Sequence, residues 1–187
     1  MLNNVVLSKV TGEYIPVQIK TKVFEKTSFW PKMVEYDVYD GCKMIGFARI
    51  QDRDYGCHVQ LIQNNMPEYY GKFGLLTDKL EVQYCLEKGM NNFEILSNGA
   101  TNSHALHYQR GKRFKGNANP KQIERFMEIF NNPGLKSFSY NSIVKYIVEN
   151  TPKGERFNTM FLNQIPMYMP KKLIQKYTKE LLKNPII

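Results

Sequence analysis

No stretch of this 187-residue sequence approaches the ~20 consecutive apolar residues that a membrane-spanning helix needs. The first residues also lack the basic cap and the long apolar core of a signal peptide. Internal repeats and low-complexity segments are missing too, which excludes solenoids and fibrous chains. These absences predict a soluble, unexported, cytoplasmic protein with no membrane partner.

Cysteine is scarce, and the three that occur, Cys42, Cys57 and Cys85, are far apart and form no CxxC motif. An odd number without ligand spacing is typical neither of a disulfide framework nor of a zinc site. The Asn-x-Ser/Thr acceptor of N-glycosylation is also missing. We therefore expect a reducing, intracellular setting, with Cys85 in the core as part of a helix.

Charge is unbalanced, because 26 lysines and arginines face 17 acidic residues and give a net charge of +9. Such a surface attracts phosphates, whether on a nucleotide cofactor, a nucleic acid or a membrane, and charge alone does not choose among them. A hydrophobic share of 42% and a charged share of 23% are those of a globular chain. Length and composition predict one domain, 1–187, with a core at about 5–114 and a C-terminal extension at 115–187.

The first half of the chain has the pattern of an antiparallel sheet. Two runs rich in Val and Ile, 4–10 and 14–24, flank the turn Thr11-Gly12-Glu13 and predict a hairpin, and Pro16 places the second run near a sheet edge. Turn residues then separate three further strands, which are predicted at 33–39, 43–51 and 57–63. This order predicts a meander.

After Pro67 the hydrophobic period changes to that of an amphipathic helix, predicted over 75–88 with Gly89 as its stop signal. A short strand at 92–97 follows, and a second helix at 103–110. Because a helix connects them, the strand at 93–96 is expected to run parallel to the strand at 59–62. The fold class predicted is α/β (α+β), a mixed, mainly antiparallel twisted sheet flanked by helices.

The remainder of the chain is predicted to be mostly helical. Residues 116–120 have the composition of a linker, and apolar faces indicate helices around Ile123 to Phe130, Ile143 to Ile147 and Leu173 to Leu181. Two strand candidates are left, 136–140 and 159–163, and we expect at least one of them to complete the sheet. These segments form the helical C-terminal extension.

The segment between the third meander strand and the first long helix carries the most chemical information. Gly71 and Gly74 stand just before the helix, where a ligand can approach the backbone closely. Free N–H groups at a helix start and the helix dipole favour an anion such as a pyrophosphate, and Lys72 adds a positive charge. The alternative is that both glycines are ordinary turn residues.

The order of these features resembles the GCN5-related N-acetyltransferase (GNAT) superfamily over about 33–114. The resemblance is carried by three meander strands, the segment Tyr70-Gly71-Lys72-Phe73-Gly74, a helix, a strand, and the later run in which Asn102, Ala105 and Tyr108 precede Gly111 and Phe114. Tyr70 stands where the family usually has Arg or Gln, and Phe73 where it usually has Gly. A fainter similarity is to GNAT-like proteins of tailed bacteriophages.

The resemblance implies a twisted sheet that binds acetyl coenzyme A and needs no metal. The residues that it assigns to the cofactor are Gln63, Tyr70, Gly71, Lys72, Phe73, Gly74, Leu75 and Asn102. Asn102 could also simply cap the following helix.

The resemblance also assigns Tyr108 to protonation of the departing thiolate. This role is chemically reasonable because the pKa of a phenol is close to that of a thiol. Tyr108 could instead be a packing aromatic. His58 and Glu94, on the strands before and after the central helix, are the candidate general bases, and structural roles for both remain open. His104 and His107 are i, i+3 neighbours on a helix but have no third ligand at a recognisable spacing, so we expect no metal site.

The function favoured by these features is N-acyl transfer, in which an amine of a small molecule or peptide attacks acetyl coenzyme A directly. A first alternative is a catalytically inactive GNAT-like scaffold or binding protein, such as a phage-associated one, because the Tyr70 to Gly74 match is incomplete. A second alternative is a basic nucleic-acid-binding protein, although no recognised binding motif occurs. A homodimer is compatible with any of the three.

Overall fold

The structure is a computed structural model that describes residues 4–53, 56–89, 93–97, 103–131, 133–184 and 186. The chain forms two compact units. Unit 1 comprises Met1–Glu94 with Ile174–Ile187, and unit 2 comprises Ile95–Leu173. In chain order the strands and helices are β1 Val5–Ser8, β2 Tyr14–Pro16, β3 Gln18–Phe24, β4 Met33–Asp40, β5 Lys43–Arg53, β6 Gly56–Asn64, β7 Tyr70–Gly71, α1 Phe73–Glu87, β8 Phe93–Ser97, α2 Ser103–Gln109, β9 Arg113–Phe114, α3 Pro120–Phe130, α4 Tyr140–Asn150, β10 Ile165–Tyr168 and α5 Lys171–Lys183.

Unit 1 contains the predicted meander of β4, β5 and β6, which pair antiparallel in that order. Strand β3 pairs antiparallel with β4 and is the outermost strand, so the predicted strand at 14–24 divides into β2 and β3, which belong to different sheets. A second, smaller sheet has the order β2, β1, β7, in which β2 and β1 form the predicted hairpin around the turn at Gly12. Pro16 therefore lies on an edge strand, as predicted, where its missing N–H costs no ladder bond. The mixed, mainly antiparallel fold class is confirmed.

Helix α1 is confirmed, but its predicted amphipathic character is wrong. Besides Leu76 and Leu80, the helix buries the polar residues Thr77, Asp78, Glu81 and Gln83. The hydroxyl of Thr77 donates to the carbonyl of Gly74, and the amide oxygen of Gln83 accepts the N–H of Ile186. Thr77 and Gln83 can be buried here because their side chains have these hydrogen-bond partners.

A close backbone contact fixes the start of α1 on the sheet. A Cβ atom added to Gly46 in β5 would lie 2.3 Å from the carbonyl oxygen of Gln63 and 2.6 Å from the ring of Phe73, the first residue of α1. Only glycine leaves room for this ring. Sequence reasoning missed Gly46, although a single glycine inside a strand pattern is the signal for such a contact.

The cysteines differ from the expectation of unpaired thiols. Cys57 in β6 and Cys85 in α1 form a disulfide with a Cα–Cα distance of 6.6 Å, and Cys42 is free and exposed. Cys85 lies on α1 and is buried in the core, as predicted. Their separation of 28 residues hid the pairing, because the contact depends on how α1 packs against β6.

Unit 2 consists mostly of helices, as predicted for the C-terminal extension. Helix α3 begins with Asn119 and Gln122, whose side chains and backbone N–H groups bond each other reciprocally. The predicted linker at 116–120 therefore ends in a helix cap. Phe126 is fully buried and packs edge-on against Tyr146 of α4, with 5.6 Å between the ring centres.

Both strand predictions in this unit are wrong. At 136–140, the side chain of Ser139 caps α4, so the segment ends in a helix start rather than a strand. At 159–163, residues Met160–Leu162 form a 3-10 turn. The strand that does form is β10, which pairs antiparallel with β9 through Met167 opposite Phe114. Its proline, Pro166, concealed it in the sequence, because proline usually argues against a strand.

No helix within the described residues is both long enough and apolar enough to cross a membrane.

Candidate functional site

The segment between β6 and α1 is held by its own side chains and by β1. The side-chain amide of Asn64 donates to the carbonyl of Tyr70 at 2.9 Å, and its oxygen accepts the N–H of Met66 at 3.0 Å. The N–H of Lys9 donates to the carbonyl of Tyr69 at 2.8 Å. These bonds use the carbonyl oxygens of Tyr69 and Tyr70 and hold the segment in place. The segment leads directly into the first turn of α1.

The first turn of α1 has no side-chain cap. Lys72, which precedes the helix, has left-handed backbone angles (φ 60°), and its side chain makes no capping bond. Its carbonyl accepts the N–H groups of Leu75 and Leu76 at 3.0 and 3.3 Å. The N–H groups of Phe73 and Gly74 stand ahead of them at the open end of the helix, where intrahelical partners are missing.

The electrostatics of this turn favour an anion. Its residues include no carboxylate, and Lys72 is exposed. Helices α3 and α4, in contrast, have their first amides bonded by the side chains of Asn119 and Ser139. The dipole and free amides at an uncapped helix start attract phosphate oxygens.

Lys72, Phe73, Gly74 and Leu75, all predicted for the cofactor, lie together at this turn. Two other predicted cofactor residues use their polar groups elsewhere. Gln63 on β6 is exposed and donates to the side chain of Asn65 at 2.8 Å. The hydroxyl of Tyr70 donates to Asp40 at 2.8 Å, and this bond to a carboxylate raises the pKa of Tyr70.

The close neighbour of Gly71 is strand β1. It pairs with Leu7 in the β1–β7 ladder, and a Cβ atom added here would lie 3.4 Å from a methyl group of Leu7 and 3.6 Å from the Lys9 side chain. The close approach predicted for a ligand at this glycine is thus made by β1.

The candidate bases lie on two strands. His58 is buried on β6, opposite Gln51 of β5. Glu94 belongs to β8, but its side chain lies outside the described part of the chain, as does the whole of Asn102.

Tyr108, the candidate acid, is half-buried on α2 of unit 2. The guanidinium of Arg113 stacks on one face of its ring, 4.4 Å from the ring centre, and also donates to its backbone carbonyl at 3.2 Å. Within the described residues the Tyr108 hydroxyl has no hydrogen-bond partner. The ring is therefore fixed by stacking while its O–H can still be donated.

The two histidines of α2 are held neutral. Burial lowers the pKa of His104 to about 4, against a smaller opposite effect of the Asn163 backbone. Burial also lowers the pKa of His107 well below its usual range, helped by the positive charges of Lys112 and Arg110. Arg110 donates to Nδ1 of His107, which accepts with its lone pair. The described residues contain no group of three or more His, Cys, Asp or Glu placed to hold a metal ion.

Acid is expected to destabilise the protein through His104. As the pH falls from 6.5 towards 4, His104 becomes protonated in the unfolded chain but stays neutral in the folded chain. The free energy of unfolding therefore falls by up to about 3 kcal/mol. Urea unfolding at pH 7 and pH 4.5 measures this loss. The variant His104→Gln should lose clearly less stability than the wild type between the two pH values, and equal losses would contradict the assignment.

Comparisons with known proteins give only weak similarity. No family model matches the sequence, and neither does any curated protein. A Bacillus subtilis acetyltransferase solved in complex with CoA is 11% identical, over 81% of this chain and 98% of that one, with a TM-score of 0.46. A structure described as a streptothricin acetyltransferase from Bacillus anthracis, in complex with acetyl coenzyme A, is 10% identical over 90% of each chain, with a TM-score of 0.43. Both TM-scores lie below 0.5, so these similarities assign no function to this chain.

Proposed function

We propose that this protein is an N-acetyltransferase of the GNAT type, which transfers the acetyl group of acetyl coenzyme A to an amine. The observation that carries the proposal is the uncapped first turn of α1, which the exposed Lys72 precedes, directly after β6 and its short connecting segment. This is the place where the sequence resemblance puts the cofactor pyrophosphate. The meander, the helix and the Tyr108 helix follow in the order that the resemblance requires.

Lys72 and the N–H groups of Phe73 and Gly74 would hold the pyrophosphate. A left-handed lysine costs about 1–2 kcal/mol relative to ordinary helical angles. Such strain is commonly retained where it positions a functional group. At this turn Lys72 directly precedes two amides that lack intrahelical partners, and all three groups can bond phosphate oxygens. Gln63 and Tyr70 contribute by ordering the connecting segment, since their polar groups bond within the chain.

The reaction exchanges one bond at the carbonyl carbon and moves two protons. The neutral amine attacks the thioester carbonyl, so that a C–N bond forms and the C–S bond breaks after a tetrahedral intermediate. The leaving thiolate takes a proton from the hydroxyl of Tyr108, and the amine gives its proton to a base. His58 and Glu94 are the proposed bases, and the acceptor is a small-molecule or peptide amine. The protein otherwise contributes by holding the reactants in position.

A second candidate function is binding without catalysis. It is favoured by the hydrogen bond from Tyr70 to Asp40 and by the pairing of β7 with β1, because both fill space that a cofactor could use. In this case the chain would retain the sheet and the helices as a scaffold for a partner. Binding of acetyl coenzyme A separates the two candidates.

Acetyl coenzyme A is expected to raise the melting temperature. At a concentration of 100 Kd a ligand that binds only the folded state stabilises it by about 2.7 kcal/mol, which raises Tm by roughly 5–10 °C for a chain of this length. Pantetheine, which lacks the pyrophosphate, should give a much smaller shift. Differential scanning fluorimetry with both compounds measures this difference.

A charge reversal at Lys72 tests whether the pyrophosphate binds at the first turn of α1. Lys72→Glu should weaken binding by at least about tenfold, because a carboxylate would replace the ammonium beside the phosphates. Lys43→Glu, an equal change of charge at an exposed hairpin position, is the matched control. It should leave the rise in melting temperature caused by acetyl coenzyme A unchanged. No shift of the wild type at millimolar acetyl coenzyme A would favour the scaffold instead.

A further inference from the structure

Helix α5 carries a large share of the positive charge of the chain. Its 13 residues contain five lysines and one glutamate, so the net charge of the helix is +4. The net charge of all 187 residues is +9. The lysines of the helix are all exposed, and they are Lys171, Lys172, Lys176, Lys179 and Lys183. The excess charge that the composition shows is thus concentrated on this helix.

Three of these lysines form a row along α5, on the side that faces away from the core. With 3.6 residues per turn, Lys176, Lys179 and Lys183 lie within about 60° of one another around the helix axis, and the row spans about 10 Å along it. The buried residues Tyr177 and Leu181 lie on the opposite side of the helix. We call these three residues the lysine row.

The lysine row is not neutralised by acidic residues. Within the described part of the chain none of its three members forms an ion pair, and the one carboxylate of α5, on Glu180, lies 2.8 Å from Lys79 of α1. The exposed side of α3, in contrast, pairs Arg125 with Glu128 at 2.7 Å. Like charges three and four residues apart on a helix repel each other. The row therefore opposes the stability of its own helix, which favours a role in binding an anion.

We propose that the lysine row binds the phosphate backbone of a nucleic acid without reading its sequence. A nucleic acid strand presents one negative charge per nucleotide in a regular series, which a row of lysines complements. Lysine binds phosphate as a point charge. The row contains no Arg, Asn or Gln, which are the side chains that most often pair with base edges. This surface is independent of the proposed acetyl transfer.

An anionic membrane fits α5 less well than a nucleic acid does. A helix that lies in the membrane interface inserts its apolar side between the lipids. The apolar side of α5 is instead used inside the protein, because Tyr177 and Leu181 are buried. The outward side offers charge with little apolar surface, and such a surface favours the backbone of a nucleic acid.

The salt dependence of binding tests the proposal and counts the contacts. We expect the full-length chain to bind a fluorescein-labelled DNA duplex of about 20 base pairs. If three phosphates are neutralised, log K should fall with log salt with a slope of about −2.7, so that raising NaCl from about 50 to 200 mM weakens binding about fortyfold. Fluorescence anisotropy measures the slope, and a duplex of unrelated sequence should give the same Kd.

Two variants locate the surface. Lys179→Gln, in the middle of the row, should make the slope less negative by about 1. Lys26→Gln removes the same charge from an exposed position between β3 and β4 and is the matched control, which should leave the slope unchanged. Equal effects of the two variants would overturn the proposal, because binding would then follow net charge alone. So would the absence of binding to the duplex at about 50 mM NaCl, whether or not phosphatidylserine vesicles are bound.

Discussion

Replacing Tyr108 with phenylalanine is expected to lower kcat by about tenfold to a thousandfold and to leave the affinity for acetyl coenzyme A nearly unchanged. The substitution removes the proton that the thiolate would take, and general acid catalysis is commonly of that size. The fold should not be affected, because Arg113 stacks on the ring, which phenylalanine retains, and the hydroxyl has no partner among the described residues.

Steady-state kinetics with an amine acceptor and a thiol-detecting assay measures this loss. Tyr146→Phe is the matched control in the same unit, since its ring packs against Phe126 and Phe130 and its hydroxyl is not needed for that contact. If Tyr108→Phe kept the kcat of the wild type, Tyr108 would be a packing residue and another group would protonate the thiolate.

The sequence predicted the parts of the fold that depend on local patterns. The meander from β4 to β6 and the helices α1 to α5 are marked by turn residues, apolar spacing or stop signals in the sequence, and all of them are present. One error was a missed local signal: residues 136–140 have a strand composition, but the Ser139 side chain accepts the N–H of Ser142 and caps a helix. Another error arose where a contact between segments distant in sequence decides the structure. β10 was missed because its pairing with β9 outweighs the local effect of Pro166.

The candidate site was predictable only as a position along the chain. Glycines and a lysine before a helix mark the start of α1, and the structure leaves that start uncapped. The sequence could not show that the Tyr70 hydroxyl binds Asp40, thirty residues earlier, or that β1 lies against Gly71. Such contacts join segments that are far apart in sequence, so no local pattern contains them.

Adjacent leucines in α5 provide a stability prediction with an internal control. Leu181 is buried, whereas Leu182 is 78% exposed. Leu181→Ala should lower the free energy of unfolding by about 2–5 kcal/mol, because it leaves a cavity in the core. Leu182→Ala should change it by less than about 0.5 kcal/mol, as surface substitutions do. Urea denaturation of both variants measures the difference, and equal effects would contradict the packing of α5.

Ending the chain at Lys115 is expected to have the largest effect on stability and to give insoluble or molten protein. Unit 1 would lose Tyr177 and Leu181, which α5 buries in its core. It would also lose the ion pair between Glu180 and Lys79 at 2.8 Å and the bond from the Ile186 N–H to Gln83. In unit 2, β9 would lose its partner strand β10, and Phe114 would lose both backbone bonds to the side chain of Asn141.

Circular dichroism and calorimetry of fragment 1–115 test this expectation. We expect no cooperative melting transition, because the fragment exposes core surface of both units and an unpaired strand. The full-length chain, purified in the same way, is the control and should melt cooperatively. A soluble fragment with a sharp transition would show instead that residues 116–187 form a module on which the rest of the fold does not depend.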